Sequence, residues 1–444
     1  MIFTQFVDDA LGCASYLVGD PGTGQAVIVD PAYAIEQYLE EAERRDVRIV
    51  RVIETHTHAD HLSGHGRFAL EHGAAVSIHA AADAKYSHDP MEDGDQIVLG
   101  DIILRCIHTP GHRPEHCCLA VIDRTRGDEP WIVLTGDSLF VGDAARPDLA
   151  VDAREGAEGL FHSLRRLAEL GDGVEVYPGH VAGSLCGKAM SSKASTTIGF
   201  ERRFNPALAY DDVSLFIAEA AGISAPRPPN MERIVELNRG PFVGAQPPPE
   251  AIVGPPDGLQ ILDVRPITAF GEGHLPGALS VPISGTRFST KAAFVLDGGP
   301  IVVAAGDETE ATSAIRGLQS VGLLDIAGYV LGGGPEQLEL VAVEQLDELL
   351  AQGAELIDVR EKDERDSGYI AGSRNIPYRL LALGEADLPR DKPIVTICET
   401  GPRAAIAASI LSARGFDAHP VVDGGIDSWV ASGKPTVEFR RCGS

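Results

Sequence analysis

The chain has 444 residues, 44% hydrophobic and 23% charged, with a formal net charge of −28. That length exceeds one ordinary core and predicts two to four domains, with the composition of a globular rather than a disordered protein. The acidity argues against a nucleic-acid partner, and no apolar run reaches the roughly eighteen residues needed to span a bilayer.

The opening MIFTQFVDDALGCASYL has no basic segment leading into an apolar one, so a cytoplasmic protein without membrane association is expected. The cysteines at 13, 106, 117, 118, 186, 398 and 442 are odd in number, scattered and without a CxxC pair. They fit reduced thiols better than a disulfide framework.

In chain order, AVIVD (26–30), IVRVIETH (49–56), AVSIHA (75–80), DIILRCIHTPGH (101–112), WIVLTGD (131–137) and VEVYPGH (174–180) read as buried strands. AIEQYLEEAERR and LFHSLRRLAEL have helical apolar spacing. Nearly every strand ends in Asp or His, and layered α/β folds build their sites at such ends. Residues 238–258, rich in Pro and Gly, read as a linker. Beyond it lies a repeat: Asp263 matches Asp358 and Gly277 matches Gly372, both 95 residues apart, and PIVVAAGDETEA matches PIVTICETGPRA. Domains are expected at 1–237, 259–338 and 339–444.

The stretch ETHTHADHLSGH follows a strand end and holds His56, His58, Asp60 and His61. With His112 in TPGH, Asp137 in LTGD and His180 in YPGH, it offers an imidazole and carboxylate set suited to zinc, iron or manganese. A lone histidine is more often a satisfied polar residue, but seven such groups at strand ends point to a metal centre. Spacing alone leaves one metal or two open.

This set resembles the metallo-β-lactamase superfamily over about residues 1–235, and THTHADHLSGH, TPGHRPEH, LTGDSLF and ARPDL resemble its persulfide dioxygenase branch. The resemblance implies an αββα sandwich in which His56, His112 and Asp137 hold one Fe(II) per chain, with zinc an alternative occupant in a heterologous preparation. His58, Asp60, His61 and His180 then orient ligands or waters, or hold a second metal. Cys186 is a candidate for persulfide uptake, and Arg146 and Lys188 are candidates for binding the substrate's carrier. His116 is expected to support a ligand or face water.

The repeats resemble rhodanese domains, α/β folds with parallel sheets. In the second copy CETGPR begins at Cys398 and ends at Arg403. A loop curling between strand and helix directs its N–H groups inward, a setting that, with Arg403, suits a nucleophilic sulfur anion. In the first copy Ala305 replaces the cysteine and Glu310 the arginine, so that copy is expected to be catalytically inactive.

The whole chain thus resembles persulfide dioxygenase–sulfurtransferase fusions. The resemblance implies oxidation of a low-molecular-weight persulfide by O2 to sulfite, followed by sulfur transfer from Cys398 giving thiosulfate, in a homo-oligomer. Two alternatives stand beside it: a dinuclear zinc thioester hydrolase like glyoxalase II, and a sulfur relay in which only Cys398 works.

Overall fold

The computed structural model describes residues 1–8, 10–148, 151–181, 191, 193–221, 227–254, 258–384 and 387–438. It divides into two compact units, one formed by Met1–Gln246 with Gln319–Gly322, the other by Pro247–Leu318 with Leu323–Ser444.

The first unit contains two six-stranded sheets. In the first, Ile2–Asp8, Cys13–Asp20 and Gln25–Val29 run antiparallel, and Arg48–Ile53, Ala75–His79 and Asp89–Met91 continue parallel to the third. The second joins Thr196–Thr197, Glu175–Pro178, Ile132–Gly136, Cys117–Asp123, Ile102–His108 and Gln96–Leu99 in that order. Alternation along the strands explains the layering, since successive side chains leave a strand on opposite faces. Tyr16, Val18, Val27 and Val29 pack with Leu104, Leu119, Val121 and Leu134 between the sheets. Their neighbours Leu17, Ala26 and Ile28 face Tyr38, Ala42 and Phe68 of two helices. On the far side, Ala120 and Val133 meet Leu160, Leu164 and Leu167 of the helix Ala153–Ala168. Helix, sheet, sheet and helix are therefore stacked as the sequence predicts.

Two departures are informative. The strands Ile2–Asp8 and Cys13–Asp20 escape the sequence reading, the second because it is buried throughout and shows no polar alternation. The segment 238–258 is not linker at its start. Asn238 lies in the helix Met231–Arg239, Tyr33 donates to Gly244 O at 2.7 Å, and the rings of Phe242 and Tyr86 stack at 4.5 Å. The division falls at Gln246 instead.

In the second unit each repeat has its own four-stranded parallel sheet. The orders correspond: Leu279–Ser280, Gln260–Asp263, Ile301–Ala305 and Ile326–Leu331 in one; Arg374–Asn375, Glu355–Asp358, Ile394–Ile397 and Ala418–Pro420 in the other. Both also bury the same ion pair at the first strand's end, Asp263 with Arg265 and Asp358 with Arg360. The sequence predicts a domain for each repeat, yet the two form one compact unit. The reason lies in contacts between them. Ser409, on the helix Pro402–Ala413, accepts the Ser280 N–H at 2.9 Å through its hydroxyl, and both serines are fully buried. Among the described residues no helix is long and apolar enough to cross a membrane.

Candidate functional site

The strand Arg48–Ile53 ends where Asp30, in the left-handed backbone region at φ 49°, turns back from its neighbour. The Asp30 carboxylate accepts both the Thr55 N–H (2.7 Å) and its hydroxyl (2.8 Å), and Thr55 Oγ1 lies 2.9 Å from His56 Nδ1. That contact engages one ring nitrogen and leaves Nε2 for the site, a common arrangement for ligating histidine. His112 is set the same way, with Nδ1 3.3 Å from the Arg146 carbonyl, and His180 with Nδ1 3.1 Å from the Gly12 carbonyl.

Asp137 follows the strand Ile132–Gly136, and its N–H donates to His116 Nε2 at 3.0 Å. His116 Nδ1 lies 3.1 Å from the Thr109 carbonyl, so the proton sits on Nδ1. His116 is wholly buried, and burial, with His112 adding to it, lowers its pKa to about 3. It is therefore a neutral strut under Asp137, not a surface group. Gly136 has φ 46° and could carry no side chain, because a Cβ would stand 2.7 Å from both His116 Nε2 and Thr55 Oγ1.

His56, His112 and Asp137 are buried and present ligand atoms within 4.8 Å of one another. His58, Asp60 and His61 form a second such group, and Asp30, Glu54 and His58 a third. His180 Nε2 stands 3.2 Å from Asp60 and 3.3 Å from Asp137. His58 Nε2 is 3.2 Å from both Asp30 Oδ1 and Glu54 Oε2. Burial alone would lower the His58 pKa, but those two carboxylates raise it well above the ordinary value. Burial likewise opposes ionisation of Asp137, yet His180 and His112 hold it below the usual range.

The residues fit a metal. Asp137 Oδ1 and His61 Nε2 are buried without a hydrogen-bond partner, a costly state unless another ligand meets them. Nitrogen and carboxylate donors suit a first-row transition ion.

One residue of this site was invisible in the sequence. The Asn238 amide donates to the carbonyls of His58 (3.0 Å) and His61 (2.8 Å) and accepts the Ser63 N–H (2.9 Å). It clamps the histidine-rich loop from 175 residues away. Arg146 is buried, and its guanidinium is bidentate to Asp148. Its carbonyl, not its charge, meets His112. Cys186 and Lys188 lie outside the described residues.

In the second unit Cys398 directly follows the strand Ile394–Ile397 and is buried. Its sulfur accepts the Gly401 N–H at 3.1 Å. Gly401 has φ 112°, and a Cβ there would meet Val422 O at 2.6 Å. The Arg403 guanidinium is bidentate to Glu364, both contacts at 2.7 Å. In the first repeat Ala305 closes the equivalent strand, and the Glu310 carboxylate accepts the Gly306 N–H at 2.5 Å. That loop thus carries its own anion where the second repeat carries a sulfur.

Residues 8–180 match the metallo-beta-lactamase superfamily, and residues 342–432 match the rhodanese-like domain. The chain belongs to the metallo-beta-lactamase superfamily and joins that domain to a C-terminal rhodanese domain. A metallo-beta-lactamase structure from Staphylococcus aureus subsp. aureus COL is 29% identical, with a TM-score of 0.69, covering 75% of this chain and 99% of its own. The mitochondrial persulfide dioxygenase ETHE1 of Bos taurus is 26% identical over 53% of this chain and 85% of its own length. A hydroxyacylglutathione hydrolase of Polaromonas sp. is 32% identical over 37% of this chain and 61% of its own length.

Proposed function

We propose that the first unit oxidises a low-molecular-weight thiol persulfide to sulfite with dioxygen, and that Cys398 transfers sulfane sulfur to sulfite. In the first reaction R–S–SH, O2 and water become R–SH, sulfite and two protons. In the second, the Cys398 thiolate attacks the outer sulfur of another persulfide and expels the thiolate R–S⁻. Sulfite then takes that sulfur, leaving thiosulfate and the Cys398 thiolate.

The observation that carries the reading is the convergence of His56, His112 and Asp137, with His58 set against Asp30 and Glu54. Two imidazoles and one carboxylate are the donor set of Fe(II) oxygenases, which leave open positions for substrates. An Fe(II) held by these three residues would supply the redox chemistry with dioxygen. Thr55, the Arg146 carbonyl and His116 orient the three donors, and Asn238 fixes the loop that carries His58 and His61. In the second unit the Gly401 N–H faces the Cys398 sulfur, where it can stabilise both the thiolate and the persulfide. The persulfide dioxygenase relative supports this assignment.

A second reading has its own support. Asp60, His61 and His180 cluster beside Asp137, and the hydroxyacylglutathione hydrolase relative points to a dinuclear thioester hydrolase. Anaerobic purification with metal analysis, then oxygen uptake on several persulfides, separates the two. One iron per chain with uptake is expected. Two zincs and thioester hydrolysis without uptake would overturn the proposal.

A further inference from the structure

The charges around Cys398 do not balance within its own repeat. Arg403 is spanned by Glu364, and Arg360 is held by Asp358 and by Glu399, whose carboxylate lies 2.6 Å from it. Arg360 and Arg403 are therefore both matched by carboxylates of their own repeat. An approaching anion would find little net positive charge there.

The first repeat supplies what is missing. Its helix Phe288–Val295 packs on the helix Tyr378–Leu383, with the Phe294 and Tyr378 rings edge to face at 6.2 Å. Lys291 lies one turn before Phe294, so both share the face turned toward the second repeat. Lys291 is half-buried, and no described carboxylate lies within ion-pair distance of it or of Arg287. Arg287, immediately before the helix, holds a left-handed backbone at φ 57°, a strained conformation for arginine. Burial and the nearby Arg403 guanidinium hold the Lys291 ammonium below the usual lysine range, while the Cys398 sulfur, within electrostatic reach, pulls it the other way. A half-buried Lys291 with the exposed Arg287 beside it, neither with a described carboxylate at ion-pair distance, forms a place for an anion.

We propose that the first repeat, which lacks a thiol of its own, supplies the docking cation for the second: Lys291, backed by Arg287, selects anionic sulfur donors and acceptors, of the thiosulfate and sulfite class, at Cys398. This rests on the reading of Cys398 as the sulfur carrier. It also gives the first repeat a function that its own plugged loop cannot perform.

The test uses the full chain with Lys291→Gln and Lys291→Arg. Alkylation of Cys398 is followed by mass spectrometry of its peptide, with anionic iodoacetate against neutral iodoacetamide. Lys291→Gln should lower the iodoacetate-to-iodoacetamide rate ratio about tenfold, the scale of one partly screened charge, and Lys291→Arg should restore most of it. In sulfur transfer from thiosulfate to cyanide, Lys291→Gln should raise KM about tenfold and leave kcat within about twofold. Arg287→Gln should move both readouts in the same direction, but less. An unchanged alkylation ratio in Lys291→Gln, or an equal loss with both reagents that arginine does not rescue, would overturn the proposal. If the native chain transfers no sulfur yet the ratio falls as expected, the anion site stands and the sulfur-carrier reading fails.

Discussion

Asn238→Ala tests whether the histidine-rich loop is held from outside its own sequence. The side chain is 3% exposed and makes three hydrogen bonds, to His58 O, His61 O and Ser63 N. Alanine leaves two carbonyls and one N–H buried without partners, at about 1 kcal/mol each, or about 3 kcal/mol together. For a unit the size of Met1–Gln246, each kcal/mol shifts the melting temperature by about 2–4 °C, so a drop of about 6–12 °C is expected. Asn238→Asp should be at least as damaging, because it sets a carboxylate against two carbonyl oxygens. Differential scanning calorimetry of the full chain, with the two units' transitions resolved, is the assay. The transition of Pro247–Ser444 should stay where it is. A shift below about 2 °C in the first transition, or an equal shift in both, would refute the clamp.

Cys398→Ser should abolish sulfur transfer while persulfide-dependent oxygen uptake and free sulfite production continue. His112→Ala should do the reverse, and loss of both activities in either variant would contradict two independent sites. Gly401→Ala should destabilise the second unit by about 1–3 kcal/mol in urea unfolding, since φ 112° and the Val422 carbonyl both oppose a Cβ. Burial opposes ionisation of Glu364, but Arg403 holds its carboxyl below the ordinary value of 4.5. Its folded-state pKa is therefore depressed, so its contribution is present above pH 4.5 and is lost as the pH falls below it. Glu364→Gln should flatten the acid limb of the second unit's stability profile between about pH 5 and 3, as read by far-ultraviolet circular dichroism.

The parts legible in the sequence were those with a local signal. Apolar strands ending in His56, His112, Asp137 and His180 announced a convergent site because ligands at strand ends interrupt an otherwise apolar pattern. The repeat was legible because Asp263 and Gly277 recur as Asp358 and Gly372 at one offset, and the structure adds that both aspartates sit in the same buried ion pair. Asn238 had no such signal. It stands at the edge of a Pro/Gly-rich stretch, and its only hint is helical spacing from the buried Ile234, which marks a covered face without naming a partner. The pairing of Arg403 with Glu364 was hidden for a related reason, since two charged residues 39 apart give no sign of which carboxylate an arginine will meet. For His116 the sequence leaves support of a ligand and exposure to water both open, because TPGHRPEH offers two histidines and only tertiary packing puts one under Asp137.

The histidines also differ in how firmly they are aimed. His56, His112 and His180 each have Nδ1 against an oxygen, so each ring is oriented whether or not a metal is bound. His58 has no such tether and sits between Asp30 and Glu54 instead. Those acids are engaged elsewhere as well: Asp30 holds Thr55, and Glu54 accepts the Ser63 hydroxyl and lies 3.3 Å from His65. A metal that recruited His58 would turn it away from two buried carboxylates, and removing one partner from such a cluster costs about 3–5 kcal/mol. A metal held by His56, His112 and Asp137 likewise takes the place of contacts that Asp137 makes with His112 at 3.5 Å and His180 at 3.3 Å. In the proposed one-metal reading His58 stays with Asp30 and Glu54 as an orienting group, whereas a second metal would draw on Asp60, His61 and His180.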